Sequence, residues 1–177
     1  MARNVAFDPD SIKTMRSHQE SVSESIIVPA TLDATWSVAD NPRKLAPSVP
    51  MLGRFDGPES LREGAPLAEV HTILGWSQHF RGTVTAFAPR KRWAMTSAPV
   101  ESGPASLPHD VEYAFEGTPA GTCVTIRCDY ARGGLLRLPF GRIIVRMLMS
   151  YTLRQLLNLI SKNAQELQNR RTAFAHA

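Results

Sequence analysis

The chain has 177 residues, of which 43% are hydrophobic and 20% charged, the balance of one globular domain large enough to bury a core. Its 20 Lys+Arg against 16 Asp+Glu leave a net charge of +4. No basic run exceeds Arg90-Lys91-Arg92 and no aromatics interleave with it, which argues against a nucleic-acid partner.

The first stretch, MARNVAFDPDSIKTMRSHQES, lacks the apolar segment of a signal peptide and reads as a polar extension over residues 1–21. Cytoplasmic residence is the expectation. VSESIIV, Val22 to Val28, reads as a strand ended by Pro29. Thr31 then suits the N-cap of a short helix carrying Leu32, Trp36 and Val38/Ala39. Asn41-Pro42 breaks that helix, and a second helical turn is expected over Arg43–Ala46.

Residues 51–132 are punctuated as strands and turns: MLGRF, LAEVHTIL, SQHFRGTVTAFA, RWAMTSA, DVEYAF and TCVTIRCDYA. The last two alternate cleanly, with Val111, Tyr113 and Phe115 on one face, and Val124, Ile126, Cys128 and Tyr130 likewise. Cys123 and Cys128 are five apart, so a strand points them to opposite faces and no mutual disulfide is expected. No His/Cys metal spacing, phosphate-cradling Gly loop or Gly-x-Ser-x-Gly motif occurs, so neither metal nor cofactor is expected.

GRIIVRMLMSYTLRQLLNLISK, Gly141 to Lys162, is nearly apolar enough for a membrane span, but Arg142, Arg146 and Arg154 interrupt it. Val145, Leu148, Met149, Thr152, Leu156, Leu159, Ile160, Asn163 and Leu167 fall on one helical face instead. Arg146, Ser150, Arg154 and Asn158 step along the opposite face. The reading is one long amphipathic helix over 140–169, whose stripe covers the apolar face of the sheet. The class is therefore α+β: a curved antiparallel sheet of about six to seven strands around a long C-terminal helix, with two short helices after the first strand.

That order, with IIVPATLDATWSVADNP, GTVTAFAP, GTCVTIRCDY and GGLLRLPFGR, resembles the START-like helix-grip superfamily, in particular its polyketide cyclase/dehydrase and lipid-transport group. VESGP, Val100 to Pro104, is similar to the Val-Glu-Thr-Gly-Pro of tetracenomycin-type aromatase/cyclases. The resemblance implies a ligand-binding domain over 22–170 with a tail at 171–177. It also implies a cavity between sheet and helix that holds an apolar small molecule. Trp36, Phe87, Trp93, Met95, Tyr113, Phe115, Met147 and Tyr151 are the large side chains expected to line it, although the same residues would also fill a dry core.

Chemistry in that cavity depends on the register around Gly75-Trp76. With an odd connection, Glu69 and His71 share a face with His79, Arg81, Thr83 and Thr85; with Gly75-Trp76 as a two-residue turn, His71 joins Phe80 and Val84, and His79 and Arg81 lie on the other face. The competing expectation makes all of these solvated residues, with Glu69–Arg81 a surface pair. His71 as proton carrier, Arg81 as oxyanion donor and Thr85 as a hydroxyl are the catalytic candidates. In the resemblance, Thr85 and Phe87 stand where the cyclases have an inward Ser and Arg, so Phe87 replaces the guanidinium. His18, His109 and His176 are assigned to loops or tails. The function expected is a polyketide cyclase/dehydratase-type enzyme acting on an apolar substrate; the alternative is a non-catalytic carrier or sensor of a lipid-like ligand. The chain is expected to be a monomer or homodimer.

Overall fold

The computed structural model describes residues 19–49, 51–73, 75–101, 107–131 and 140–175. The polar extension, Ser102 to Pro104 of VESGP and residues 132–139 of the lead-in to the long helix lie outside them in whole or in large part.

Strand β1 (Gln19–Val28) begins three positions before the expected Val22 and ends as anticipated at Pro29. Helix α1 (Leu32–Ala39) starts where Thr31 Oγ1 accepts a hydrogen bond from the Ala34 amide, satisfying an otherwise orphaned helix N–H. Asp40 closes α1, and α2 (Pro42–Leu45) opens with proline, whose missing N–H costs nothing at that position. A 3-10 turn (Ala46–Ser48) follows. Then come β2 (Leu52–Asp56), β3 (Pro66–Ile73), β4 (Trp76–Ala88), β5 (Arg92–Pro99), β6 (His109–Thr118), β7 (Gly121–Ala131) and helix α3 (Gly141–Ala175). The order of elements is the expected one, and α3 runs on past the anticipated end at 169.

The sheet has seven strands in the order β1-β7-β6-β5-β4-β3-β2, with every neighbouring pair antiparallel. The chain therefore meanders from β2 to β7, and β1 is carried to the far edge by α1 and α2. The alternation read in the last two strands sets their register. Val111 faces Cys128, Tyr113 faces Ile126 and Phe115 faces Val124, all buried on the concave face. Cys128 points inward, Cys123 is its half-buried opposite, and both are free thiols.

Helix α3 lies along β1 and packs against α1. Val145, Leu153, Leu156, Leu157, Ile160 and Ala164 are its buried apolar side chains. That stripe is rotated from the expected one, for Leu148 and Leu159 are only half-buried while Leu153 and Leu157 go inside. The reason is the polar row. Glu24 of β1 accepts from Ser150 and pairs with Arg154 at 3.0 Å, and Glu20 pairs with Arg142 at 3.0 Å. These side chains take the β1 flank and turn the apolar stripe toward the sheet. The span Gly141–Phe174 is long and apolar enough to cross a membrane by length and composition alone; here its apolar stripe is buried in the protein's own core.

Candidate functional site

The connection between β3 and β4 decides which side chains meet. Ile73 pairs with Trp76, so the connection keeps the even parity of the expected Gly75-Trp76 turn but sits one residue earlier, with Trp76 already in β4 and Gly75 at a positive φ of 81°. Glu69 therefore stands opposite Phe80, and His71 opposite Gln78. The even connection puts Glu69, His71 and Phe80 under the sheet and leaves His79 and Arg81 outside.

Glu69 is 1% exposed, which corrects its reading as half of a surface pair with Arg81. Its Oε2 lies 2.7 Å from His71 Nε2 and 3.3 Å from His109 Nε2. Ser97 Oγ donates to its Oε1 at 2.7 Å. A buried carboxylate needs such compensation, and here three partners from three strands supply it. His109 Nδ1 lies 2.9 Å from the Leu107 carbonyl, so that nitrogen carries the hydrogen. Phe80 packs against both imidazoles, with ring centroids 4.6 Å from His71 and 5.1 Å from His109.

Gly82 lets this cluster close. Leu67 of β3, Gly82 of β4 and Ser97 of β5 are aligned across the sheet. A Cβ on Gly82 would stand 2.1 Å from the Thr96 carbonyl oxygen and 2.5 Å from Ser97 Oγ. Without it, the Ser97 hydroxyl reaches across to the carboxylate of Glu69.

Burial pushes the Glu69 carboxyl up, but the hydrogen bonds from His109 and His71 and their charge outweigh it and hold it well below the usual range. Burial pushes His109 down, and the Glu69 hydrogen bond and charge reverse this, so His109 is raised. For His71 burial wins over the same carboxylate, and its value is lowered. Glu69 is thus a carboxylate acceptor between the two rings: its charge favours the protonated form of His109, while burial favours the neutral form of His71. The His71 Nε2–H donates to Glu69, and its Nδ1 keeps a lone pair.

The cluster forms one corner of a cavity of about 70 Å³ between sheet and helix. The other walls are apolar or soft: Met51, Leu52, Met95, Val111, Tyr113, Cys128, Met149, Leu153 and Leu156, with Thr152. This is room for a handful of heavy atoms, well below the roughly 300–1,000 Å³ of sites for drug-sized ligands. Large side chains expected at the wall explain the size. Trp93 is fully buried and stacks on Tyr113 at 4.0 Å, and Trp36 packs against Phe115 at 5.1 Å and Phe87 at 5.8 Å. Of the eight expected lining residues, Met95 and Tyr113 reach the cavity. Trp36, Phe87, Trp93 and Phe115 belong to the packed core, and Met147 and Tyr151 are exposed, on the outer face of α3.

The three catalytic candidates separate. His71 is in the cluster. Arg81 and Thr85 are exposed, on the convex face. Thr85 is the extra residue of a bulge between Val84 and Ala86, which turns Phe87 back inward against Trp36. His109, set aside as a loop residue, is the first residue of β6 and 6% exposed. Its position two before Val111 extends the inward row His109, Val111, Tyr113, Phe115, and that period was the available signal.

No protein-family model matches the chain, and no curated protein matches it either. Solved structures do. The di-domain aromatase/cyclase StfQ from the steffimycin biosynthetic pathway superposes over 89% of this chain with a TM-score of 0.68 at 15% identity. The chain spans about half of StfQ, 54% of its length. The Zhui aromatase/cyclase from Streptomyces sp. R1128 matches over 84% of this chain and 94% of its own, at 17% identity and TM-score 0.60. TTHA0849 from Thermus thermophilus matches over 83% and 98%, at 16% identity and TM-score 0.66. The fold is a helix grip. At these identities the helix-grip likeness is one of architecture, and the Glu69–His71–His109 corner has to be argued from this chain's own residues.

Proposed function

We propose that this helix-grip protein binds a small carbonyl-bearing molecule, or the reactive end of a polyketide-type chain, and promotes its enolisation on the way to cyclisation or dehydration. The observation that carries this reading is the placing of Glu69, His71 and His109 as the polar corner of an otherwise apolar cavity. A carrier of a lipid-like ligand needs the apolar walls only; a buried carboxylate with two imidazoles costs desolvation that simple carriage does not repay. His71 is the base: Glu69 holds its Nε2–H and leaves Nδ1 free to take an α-proton, as a carboxylate orients an imidazole in other proton-transfer sites. His109 keeps Glu69 ionised. Aromatase/cyclases among the structural neighbours support the substrate class. The protein works on a molecule inside its own core, without a nucleic acid and with the long helix as a wall of the site.

The test is α-proton exchange of 2-butanone in deuterium oxide, followed by proton NMR, since its five heavy atoms suit the cavity. Chelator-treated wild type is expected to accelerate the exchange, and His71→Gln to abolish the acceleration while retaining its thermal transition. Equal rates for wild type, His71→Gln and buffer would overturn the proposal.

A further inference from the structure

We propose that Glu69, His71 and His109 together bind one divalent first-row transition-metal ion of the zinc or iron kind. Their donor atoms all lie within 4.8 Å of one another, and they are the one such group of His, Cys, Asp and Glu among the described residues. Donors at about 2.0–2.2 Å from a shared ion stand no more than about 4.4 Å apart; Glu69 Oε2 already lies 2.7 Å from His71 Nε2 and 3.3 Å from His109 Nε2, so side-chain shifts of a few tenths of an ångström bring the set to bonding distance.

Three further features distinguish the group from an accidental meeting of polar side chains. His109 gives its Nδ1–H to the Leu107 carbonyl at 2.9 Å, which aims Nε2 at Glu69. Ligating imidazoles are fixed by such a bond on the ring nitrogen away from the ion. Ser97 occupies Oε1 of Glu69, so Oε2 is the oxygen that faces both imidazoles. The remaining coordination directions open on the cavity walled by Met51, Tyr113, Cys128 and Thr152. Two imidazoles and one carboxylate, with further positions open, suit zinc, iron or cobalt; calcium and magnesium prefer all-oxygen sets. No other carboxylate lines the cavity, so the bound dication would leave a net single positive charge facing the apolar side.

His71 gives the ion a way in, because its side chain remains 18% exposed whereas Glu69 and His109 are sealed. The inference rests on reading the cluster as the working group of the cavity. It changes what does the work: the charge of an ion would polarise the bound carbonyl, and His71 would be a ligand in the loaded protein.

The experiment uses the full chain, stripped with a chelator, and titrated with zinc by calorimetry and with cobalt by visible absorption. One ion per chain is expected. His71→Gln and His109→Gln should each weaken uptake at least 100-fold. Ser97→Ala should weaken it about 10- to 100-fold with the stoichiometry unchanged, as loss of a partner behind a ligand does. His79→Gln, on the outer face, is the control and should bind as wild type does. Should His109→Gln fail to fold, His71→Gln and Ser97→Ala still decide. No saturable uptake by wild type, or wild-type uptake by His71→Gln, overturns the metal site. Stripped protein that exchanges butanone protons yet takes up no ion overturns this inference and leaves the preceding reading standing. Uptake with no exchange in either form does the reverse.

Discussion

His109 and Glu69 are forty residues apart in sequence, on β6 and β3, and their side chains meet 3.3 Å apart beneath the sheet. Two strands, β4 and β5, lie between them. The contact exists because neither intervening strand fills the space: β4 offers the flat ring of Phe80 and then Gly82, and β5 offers Ser97, which joins the cluster. The sheet thereby carries a polar, hydrogen-bonded island inside an apolar core, the arrangement in which losing one member costs most.

Removing the centre of that island should be severe. Glu69→Gln in the stripped protein leaves His109 buried without its counter-charge and is expected to cost about 3–5 kcal/mol in denaturant unfolding at pH 6. The pH dependence has a defined sign. The carboxyl is held below its ordinary 4.5, so its contribution is present above that value and fades as pH falls below it. His109 is held above its ordinary 6.5, so its contribution is complete below that value and fades as pH rises through the folded-state value. The stability gap between wild type and Glu69→Gln should therefore be widest between about pH 4.5 and 6.5 and narrow on both sides. A gap that is flat from pH 4 to 9 would show that the pair is not ionised.

Gly82 gives a second expectation. Gly82→Ala brings a methyl group against the Thr96 carbonyl at 2.1 Å and the Ser97 hydroxyl at 2.5 Å, and the first is backbone that cannot swing aside. The variant should lose about 1–3 kcal/mol through overpacking. It should also lose any accelerated butanone exchange, because Ser97 is driven off Glu69. Ser97→Ala should show the catalytic loss with a smaller change in stability, since no backbone has to move. Retention of full exchange by Gly82→Ala would mean that Ser97 does not position the carboxylate.

Much of the architecture was legible because it follows from periodicity. Alternation in VEYAF and VTIRCDY fixed which face of β6 and β7 is buried, and the spacing of Val145, Leu156 and Ile160 marked α3 as a core helix. The site was only half legible. His71 was a candidate, but its neighbours hung on the parity of a turn, and one residue more or less would have set Arg81 beside it in place of Phe80. His109 follows a proline and six residues of loop-like composition, so its place in the inward row of β6 was hidden by the strand boundary. The eight expected lining residues were chosen for size, and size favours close packing as readily as a cavity wall. Trp93 and Tyr113 stack, and Trp36 wedges between Phe87 and Phe115, so a far smaller space remains. Met147 and Tyr151 lie off the stripe that helical spacing itself marks, and they are exposed; what no local pattern encodes is Glu24 holding Ser150 and Arg154, a contact across 126 residues for Ser150.

Arg81 and Thr85 supply the contrasting case. Both are exposed on the convex face, away from the cluster. Arg81→Ala and Thr85→Ala should each change stability by no more than about 0.5 kcal/mol, the usual range for surface substitutions. Neither should alter butanone exchange or metal uptake. A large loss of exchange in Arg81→Ala, with folding intact, would place the chemistry on the other side of the sheet and end the case for the buried corner.

Helix α3 is held by two kinds of contact, and their energies should differ sharply. Leu156 is 4% exposed and lines the cavity, and Leu153 beside it is 6% exposed. Leu156→Ala removes three buried carbons next to a space that already exists, so the surroundings have little to collapse onto the gap. A loss of about 2–5 kcal/mol is expected. Leu148, half-buried on the rotated edge of the stripe, should lose distinctly less on the same substitution. The Glu24–Arg154 pair is exposed on its arginine side and screened by solvent, so Glu24→Gln should move the denaturation midpoint little, and less still at high salt. Enlarging the cavity by Leu156→Ala should also admit longer ketones than butanone, while Leu148→Ala should not. Equal stability losses for Leu156→Ala and Leu148→Ala would mean that the stripe faces the sheet as helical spacing alone suggests and that the rotation by Glu24 is wrong.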